Sequence, residues 1–163
     1  MTQDILREDR DGVIVLSLNR PAKRNAMTVA MRQTIFDAVD DLRDRDDLRV
    51  LLIRANGPFL TAGIDIVEHQ QRFPPTRSMQ EFRRDYRRNI HRHFDEMEMV
   101  EKPIVMAING PCLGLGVEMA GAVDFRLAST GARFGLPEVD MGMIAGSGGT
   151  SRIVRLCGVG WAK

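Results

Sequence analysis

The chain has 163 residues, and 23 Lys and Arg against 22 Asp and Glu leave a formal charge of +1. With 44% apolar and 28% charged residues the composition is that of a globular protein, which excludes a disordered or collagen-like chain. Near-neutral charge gives no global attraction to nucleic acid or an anionic membrane. Cys112 and Cys157 have no zinc-like spacing, so neither a disulfide framework nor a metal site is expected, and a reducing, cytoplasmic location fits. The charged N-terminal stretch lacks the core of a signal peptide, and the longest apolar run, 104–108, is too short to cross a bilayer. A soluble intracellular protein is expected.

In chain order, 13–18 is aliphatic and β-branched and stops at Asn19-Arg20-Pro21, a strand followed by a turn. From Thr28, a candidate N-cap, Met31, Ile35, Ala38, Val39 and Leu42 recur at helical spacing. Residues 50–53 form a second strand, closed by the turn signal Asn56-Gly57-Pro58. A second helix is expected over 78–98, through Met79, Phe82, Tyr86, Ile90, Phe94 and Met97. A third strand, 104–108, follows Pro103. Strands alternating with helices predict an α/β chain with mainly parallel pairing. No repeat appears, and the Pro74-Pro75 loop is too short for a linker, so a single domain over 1–163 is expected.

After Asn109 glycines crowd the sequence, which favours a backbone that approaches a ligand closely over tightly packed turns. Gly114-Leu-Gly116 is not a dinucleotide fingerprint, because Met119 stands where the third glycine belongs. Ala145-Gly-Ser147-Gly-Gly149 approaches a nucleophile elbow, yet His69, His91 and His93 all precede it, which leaves Ser147 as a turn residue. His91 and His93 are two apart and face different sides of a helix, so they do not share a metal. The six arginines of 77–93 are expected on a solvated helix face rather than on a phosphate or nucleic-acid surface. Glu118 and Glu138 lie in apolar, glycine-rich surroundings, which raise a carboxyl pKa and suit general acid–base work. The competing reading pairs each with Arg126, Arg133 or Arg152.

Leu18-Asn-Arg-Pro-Ala-Lys-Arg-Asn-Ala26, Phe59-Leu-Thr-Ala-Gly-Ile-Asp-Ile66 and Pro103-Ile-Val-Met-Ala-Ile-Asn-Gly-Pro111 resemble successive signatures of the crotonase, or enoyl-CoA hydratase/isomerase, superfamily. Gly114-Leu-Gly-Val-Glu118, Ala132-Arg-Phe-Gly-Leu-Pro-Glu138 and Gly148-Gly-Thr-Ser-Arg152 continue the match in order. The resemblance implies an α/β fold, a spiral of ββα repeats binding acyl-CoA thioesters. It implies an oxyanion hole from the N–H groups of Ile64 and Leu115, and Glu118 and Glu138 as the catalytic pair of a hydratase, which adds water to a 2-enoyl thioester. Substrate contacts are carried over to Arg24, Ala26, Ala62, Gly63, Asp65, Ile66 and Gly114. No cofactor is implied, since coenzyme A belongs to the substrate.

Dienoyl-CoA isomerases, which this chain also resembles, have aspartates where Glu118 and Gly146 stand. A single-carboxylate enoyl-CoA isomerase is the nearer alternative. Leu115, Val67, Ala145 and Ser151 depart from the usual glycine, lysine, proline and glutamine. Family members continue past Lys163 into helices that cover the acyl pocket and build a homotrimer or hexamer. The resemblance therefore implies a C-terminal helical segment absent from this chain, open apolar surface near Leu156 and Trp161, and a non-catalytic acyl-CoA-binding fragment as the alternative of another class. The acyl-pocket walls are expected from residues around 67–88 together with the C-terminal part.

Overall fold

The computed structural model describes residues 3–72, 74 and 78–163 of the chain. Pro75 and Arg77, noted above, lie outside the described residues.

β1 (Ile5–Arg10) and β2 (Val13–Leu18) form an antiparallel hairpin whose turn places Asp11 and Gly12 at φ 53° and 81°. An Asp-Gly pair with both φ positive matches the right-handed twist of the flanking strands. β1 was not legible in the sequence, because only Ile5 of its six residues is buried. It is a sheet edge, and charged side chains such as Arg7, paired with Asp9 and Asp41, protect it from further pairing.

β3 (Val50–Ala55) and β4 (Ile104–Ile108) join β2 in parallel. Register brings Ile14, Leu51 and Ile104 into one row and Leu16, Ile53 and Met106 into the next, all buried. Side chains alternate along a strand, so these rows form one apolar face. α1 (Val29–Asp44) lies against β2 and β3 and buries Met31, Ile35, Val39 and Leu42; each such side chain contributes about 2 kcal/mol. Thr28 accepts the Met31 N–H and caps the helix as expected.

After β4 the chain enters a short strand, β5 (Cys112–Leu113), then α5 (Leu115–Ala122), and returns to the sheet as β6 (Phe125–Ala128), parallel to β4. The next short strand, β7 (Phe134–Gly135), pairs with β5. Parallel bridges continue this second layer to Thr61, opposite Cys112, while Met27 bridges Ile64. Each turn thus gives one long strand to the five-stranded sheet, an extended segment to the second layer, and a helical return. That is a spiral of ββα turns.

α2 (Ile66–Arg72) precedes a helical rod made of α3 (Met79–Tyr86), one wide turn over Arg87–His91 with i→i+5 bonding, and α4 (Arg92–Met99). Ser78 and Glu81 close a capping box at its start. Ile90, Phe94 and Met97 are buried, whereas Met79 is exposed. The wide turn has a sequence cause: 82, 86, 90 and 94 are four apart, and in an ideal α-helix each such step drifts by about 40°. A turn closed at i+5 absorbs the drift and keeps both halves of the rod facing inward. His91 meets Asp95 at 3.1 Å while His93 stacks on Phe36, so the two histidines do part.

A 3-10 turn (Pro137–Met141) leads to α6 (Gly149–Ala162), which Gly158 interrupts at φ 76°. Leu156 and Trp161 are exposed, as are Phe125 and Leu127 on the edge strand β6. Among the described residues no helix is long and apolar enough to cross a membrane.

Candidate active site

Thr61 and Cys112 are bridge partners on adjacent turns, and Ile64 and Leu115 each follow three residues later. Equivalent positions on parallel neighbours lie about 4.8 Å apart. Two donors at that separation can reach one acceptor atom between them. Gly63 makes the approach possible: a Cβ there would stand 3.4 Å from the Leu115 nitrogen and 3.0 Å from the Leu113 carbonyl, at φ 95°.

Both amides are spare. Met27 N–H donates to the Gly63 carbonyl and Asp65 N–H to the Met27 carbonyl, so the Ile64 N–H points away from that bridge. Leu115 opens α5, where the first N–H groups lack intrahelical acceptors and the helix dipole is positive. Among the described residues neither N–H donates to a backbone carbonyl. Gly114, the N-cap, is held at φ 53° and has no side chain to cap the helix itself.

Glu118 lies one turn into α5 and is almost wholly buried. Its Oε1 accepts N–H bonds from Ser147 at 2.7 Å and Gly149 at 3.2 Å, on the segment leading into α6. Burial pushes its pKa up to about 7, assisted by the charge of Glu138 and opposed by those two bonds. Glu138, in the 3-10 turn, lies over Gly114: a Cβ on that glycine would stand 2.9 Å from its Oε1. Its Oε2 is buried and without a hydrogen-bond partner among the described residues.

The arginine alternative is answered by geometry. Arg152 bonds the Ser147 carbonyl, Asp95 and Glu98; Arg126 bonds the carbonyls of Ala120, Val123 and Asp124; Arg133 bonds the Ala132 carbonyl. None of the three pairs with Glu118 or Glu138 among the described residues.

A cavity of about 720 Å³ joins these groups, lined by Gly63, Ile64, Gly114, Leu115, Glu118 and Glu138. Ala62 and Ile66 also line it. Ala26 and Asp65 face a separate cavity of about 410 Å³. Asp65 accepts from Arg20 at 3.0 Å and from the Glu68 N–H at 3.2 Å, and so starts α2. Arg24 lies over the Phe59 ring, its guanidinium 5.5 Å from the centroid.

Sequence reasoning missed Tyr86. It lines the large cavity and accepts a hydrogen bond from Ser147 Oγ at 2.8 Å, which links it to the loop that holds Glu118. Burial, with the Glu118 charge, lifts its pKa to about 12, so it remains a neutral phenol. Ser147 is in a turn, as expected, but its role there is to bond two cavity residues. The arginine run behaves as a solvated face, with Arg83, Arg84, Arg87, Arg88 and Arg92 exposed.

The spiral, with two spare amides on adjacent turns, defines a crotonase-type α/β protein. The family model for enoyl-CoA hydratase/isomerase matches residues 8–163, and the chain belongs to that family. It is 37% identical over 162 residues to a crotonyl-CoA hydratase of Syntrophomonas wolfei, covering 99% of this chain and 60% of that protein. An enoyl-CoA isomerase/hydratase of Mycosarcoma maydis is 37% identical over 161 residues, 93% of this chain and 57% of that protein. The crystal structure of an enoyl-CoA hydratase from Bacillus anthracis superposes with a TM-score of 0.84 at 31% identity, covering 99% of this chain and 61% of that one. The chain thus spans about 60% of the length of the relatives it matches.

Proposed function

We propose that the chain carries the reacting centre of an enoyl-CoA hydratase, with the N–H groups of Ile64 and Leu115 as the oxyanion hole and Glu118 and Glu138 as the acid–base pair. The observation that carries this reading is the convergence on one cavity of two amides and two carboxyls that have, among the described residues, no backbone acceptor and no cationic partner respectively.

The thioester carbonyl oxygen accepts both N–H bonds, which polarises the conjugated double bond. Water, held between the carboxyls, adds its oxygen to C3 as one proton passes to a carboxylate. The displaced electron pair moves through C2 to the carbonyl oxygen, giving an enolate. C2 then takes a proton from the pair, which returns to its starting state. Preorganised donors aimed at the developing oxyanion commonly contribute the largest single share of such catalysis. The N-terminus of α5 adds positive potential at the same oxygen. Burial of Glu118, with the charge of Glu138 beside it, keeps a proton on Glu118 near neutral pH, and the roles are assigned to the pair. Coenzyme A enters as part of the substrate, and assembly into a trimer or hexamer is the expected arrangement where a C-terminal segment is present.

Loss of the enoyl-thioester ultraviolet absorbance of crotonyl-CoA tests the reading, with product analysis to separate hydration from double-bond migration. A 3-hydroxy product with the native chain, lost in Glu118→Gln, is expected. Thioester binding without any turnover points instead to an acyl-CoA-binding role, and a shifted double bond to the isomerase activity carried in the name of the Mycosarcoma relative.

A further inference from the structure

A smaller cavity, of about 190 Å³, shares His69 and Tyr86 with the large one and lies between α1, α2 and α3. Arg32 of α1 lines it and is only 7% exposed. A guanidinium has five N–H donors. Among the described residues this one makes a single hydrogen bond, from Nη1 to the Met27 carbonyl at 3.2 Å. The neighbouring acids are engaged elsewhere: Glu68 accepts the Val29 N–H at 2.7 Å, and Asp85 pairs with Arg72 at 3.1 Å. Burial draws the Arg32 pKa below its ordinary value, yet arginine stays charged at neutral pH. Glu68 and Asp85 lend this cation charge compensation without hydrogen-bonding it among the described residues, and an anion with planar, two-oxygen geometry is the ligand that satisfies its remaining N–H groups best.

The large cavity, which shares the Tyr86 and His69 wall, bears on which anion. Glu118 is joined through Ser147 to Tyr86, and Tyr86 borders both cavities. An acyl group whose C2 and C3 lie at the glutamates therefore has its far end near the Tyr86–His69 wall. Apolar Ile66, Met79 and Phe82 line the large cavity and suit the methylenes between.

We infer that Arg32 selects a short acyl-CoA thioester whose far end is a carboxylate, drawn past Tyr86 and His69 into the smaller cavity. This rests on the acyl-CoA reading of the large cavity and deepens it to a substrate class.

Calorimetric titration of the native chain with two unreactive saturated thioesters of equal chain length, glutaryl-CoA and valeryl-CoA, tests the inference. Glutaryl-CoA is expected to bind about ten-fold or more tightly, as a charge-assisted bond to a buried partner allows. Arg32→Met should erase the difference, Arg32→Lys should keep part of it, and Arg83→Met, at an exposed cation on the large cavity, should leave it intact. Equal binding of the two esters by the native chain, or a preference for valeryl-CoA, overturns the inference while leaving the acyl-CoA reading in place. A preference lost in Arg83→Met but kept in Arg32→Met also overturns it. Binding of neither ester removes both readings together.

Discussion

At the scale of single residues, Glu118 is a contest that burial wins. Two N–H bonds favour its ionised form, yet desolvation in α5 carries the pKa from 4.5 to about 7. The folded state therefore holds a proton that the unfolded chain releases between those values, so stability falls as pH rises from about 4.5 to about 7. Glu118→Gln should flatten that slope in urea titrations across this range and spare the protein a loss on the order of 3 kcal/mol at the upper end. Either Glu118→Gln or Glu138→Gln should lower kcat about 10³-fold with little change in thioester affinity, checked by steady-state kinetics beside calorimetry. Gly63→Ala should do both kinds of damage. Its Cβ would press on the Leu113 carbonyl at 3.0 Å from an unfavourable φ, costing about 1–3 kcal/mol in denaturant melts and displacing the amides enough to abolish turnover. Glu118 and Glu138 were visible as acids among glycine and apolar residues. The Tyr86–Ser147 bond was not, because it joins positions 61 residues apart and only the folded rod aligns them. Arg32 sits at helical spacing from buried Phe36 and Val39, a signal that periodicity analysis of the apolar positions alone passes over.

At the scale of elements, the seat of α6 positions the acid. Arg152 is buried and bonds the Ser147 carbonyl as well as Asp95 and Glu98 of α4, thereby clamping the loop whose amides hold Glu118. Arg152→Met should cost about 2–4 kcal/mol in guanidinium unfolding, and the mutant should show faster amide exchange at 147–149 than at the sheet rows. Elements with a buried stripe were legible: β2, β4 and the start of α1 agree with their apolar patterns. Those without one were not. β5 and β7 are two residues each, and α2 buries none of its seven, so neither period has room to register. The wide turn inside the rod was latent in the four-residue spacing but reads, on sequence alone, as one helix.

At the scale of the whole molecule, the crotonase-type spiral was legible through six ordered motifs, each weak singly. Their order matters because they fall along successive turns of a structure whose turns stack in sequence. The stacking leaves β6 as an open edge with Phe125 and Leu127 exposed. An unpaired apolar edge promotes association. Sedimentation of the chain should accordingly show concentration-dependent self-association, and Leu127→Lys should reduce it without changing the melting temperature by more than a few degrees.

Because Ile64 and Leu115 occupy matching places on neighbouring rungs, their spacing depends on backbone pairing and not on the length of the 50-residue interval, 65–114, that lies between them. The helices that contribute Met79, Phe82 and Tyr86 to the cavity hang entirely within that interval. On the proposed reading they form an exchangeable cassette: a new acyl preference is expected to be graftable there while the anchorage of the carbonyl stays untouched.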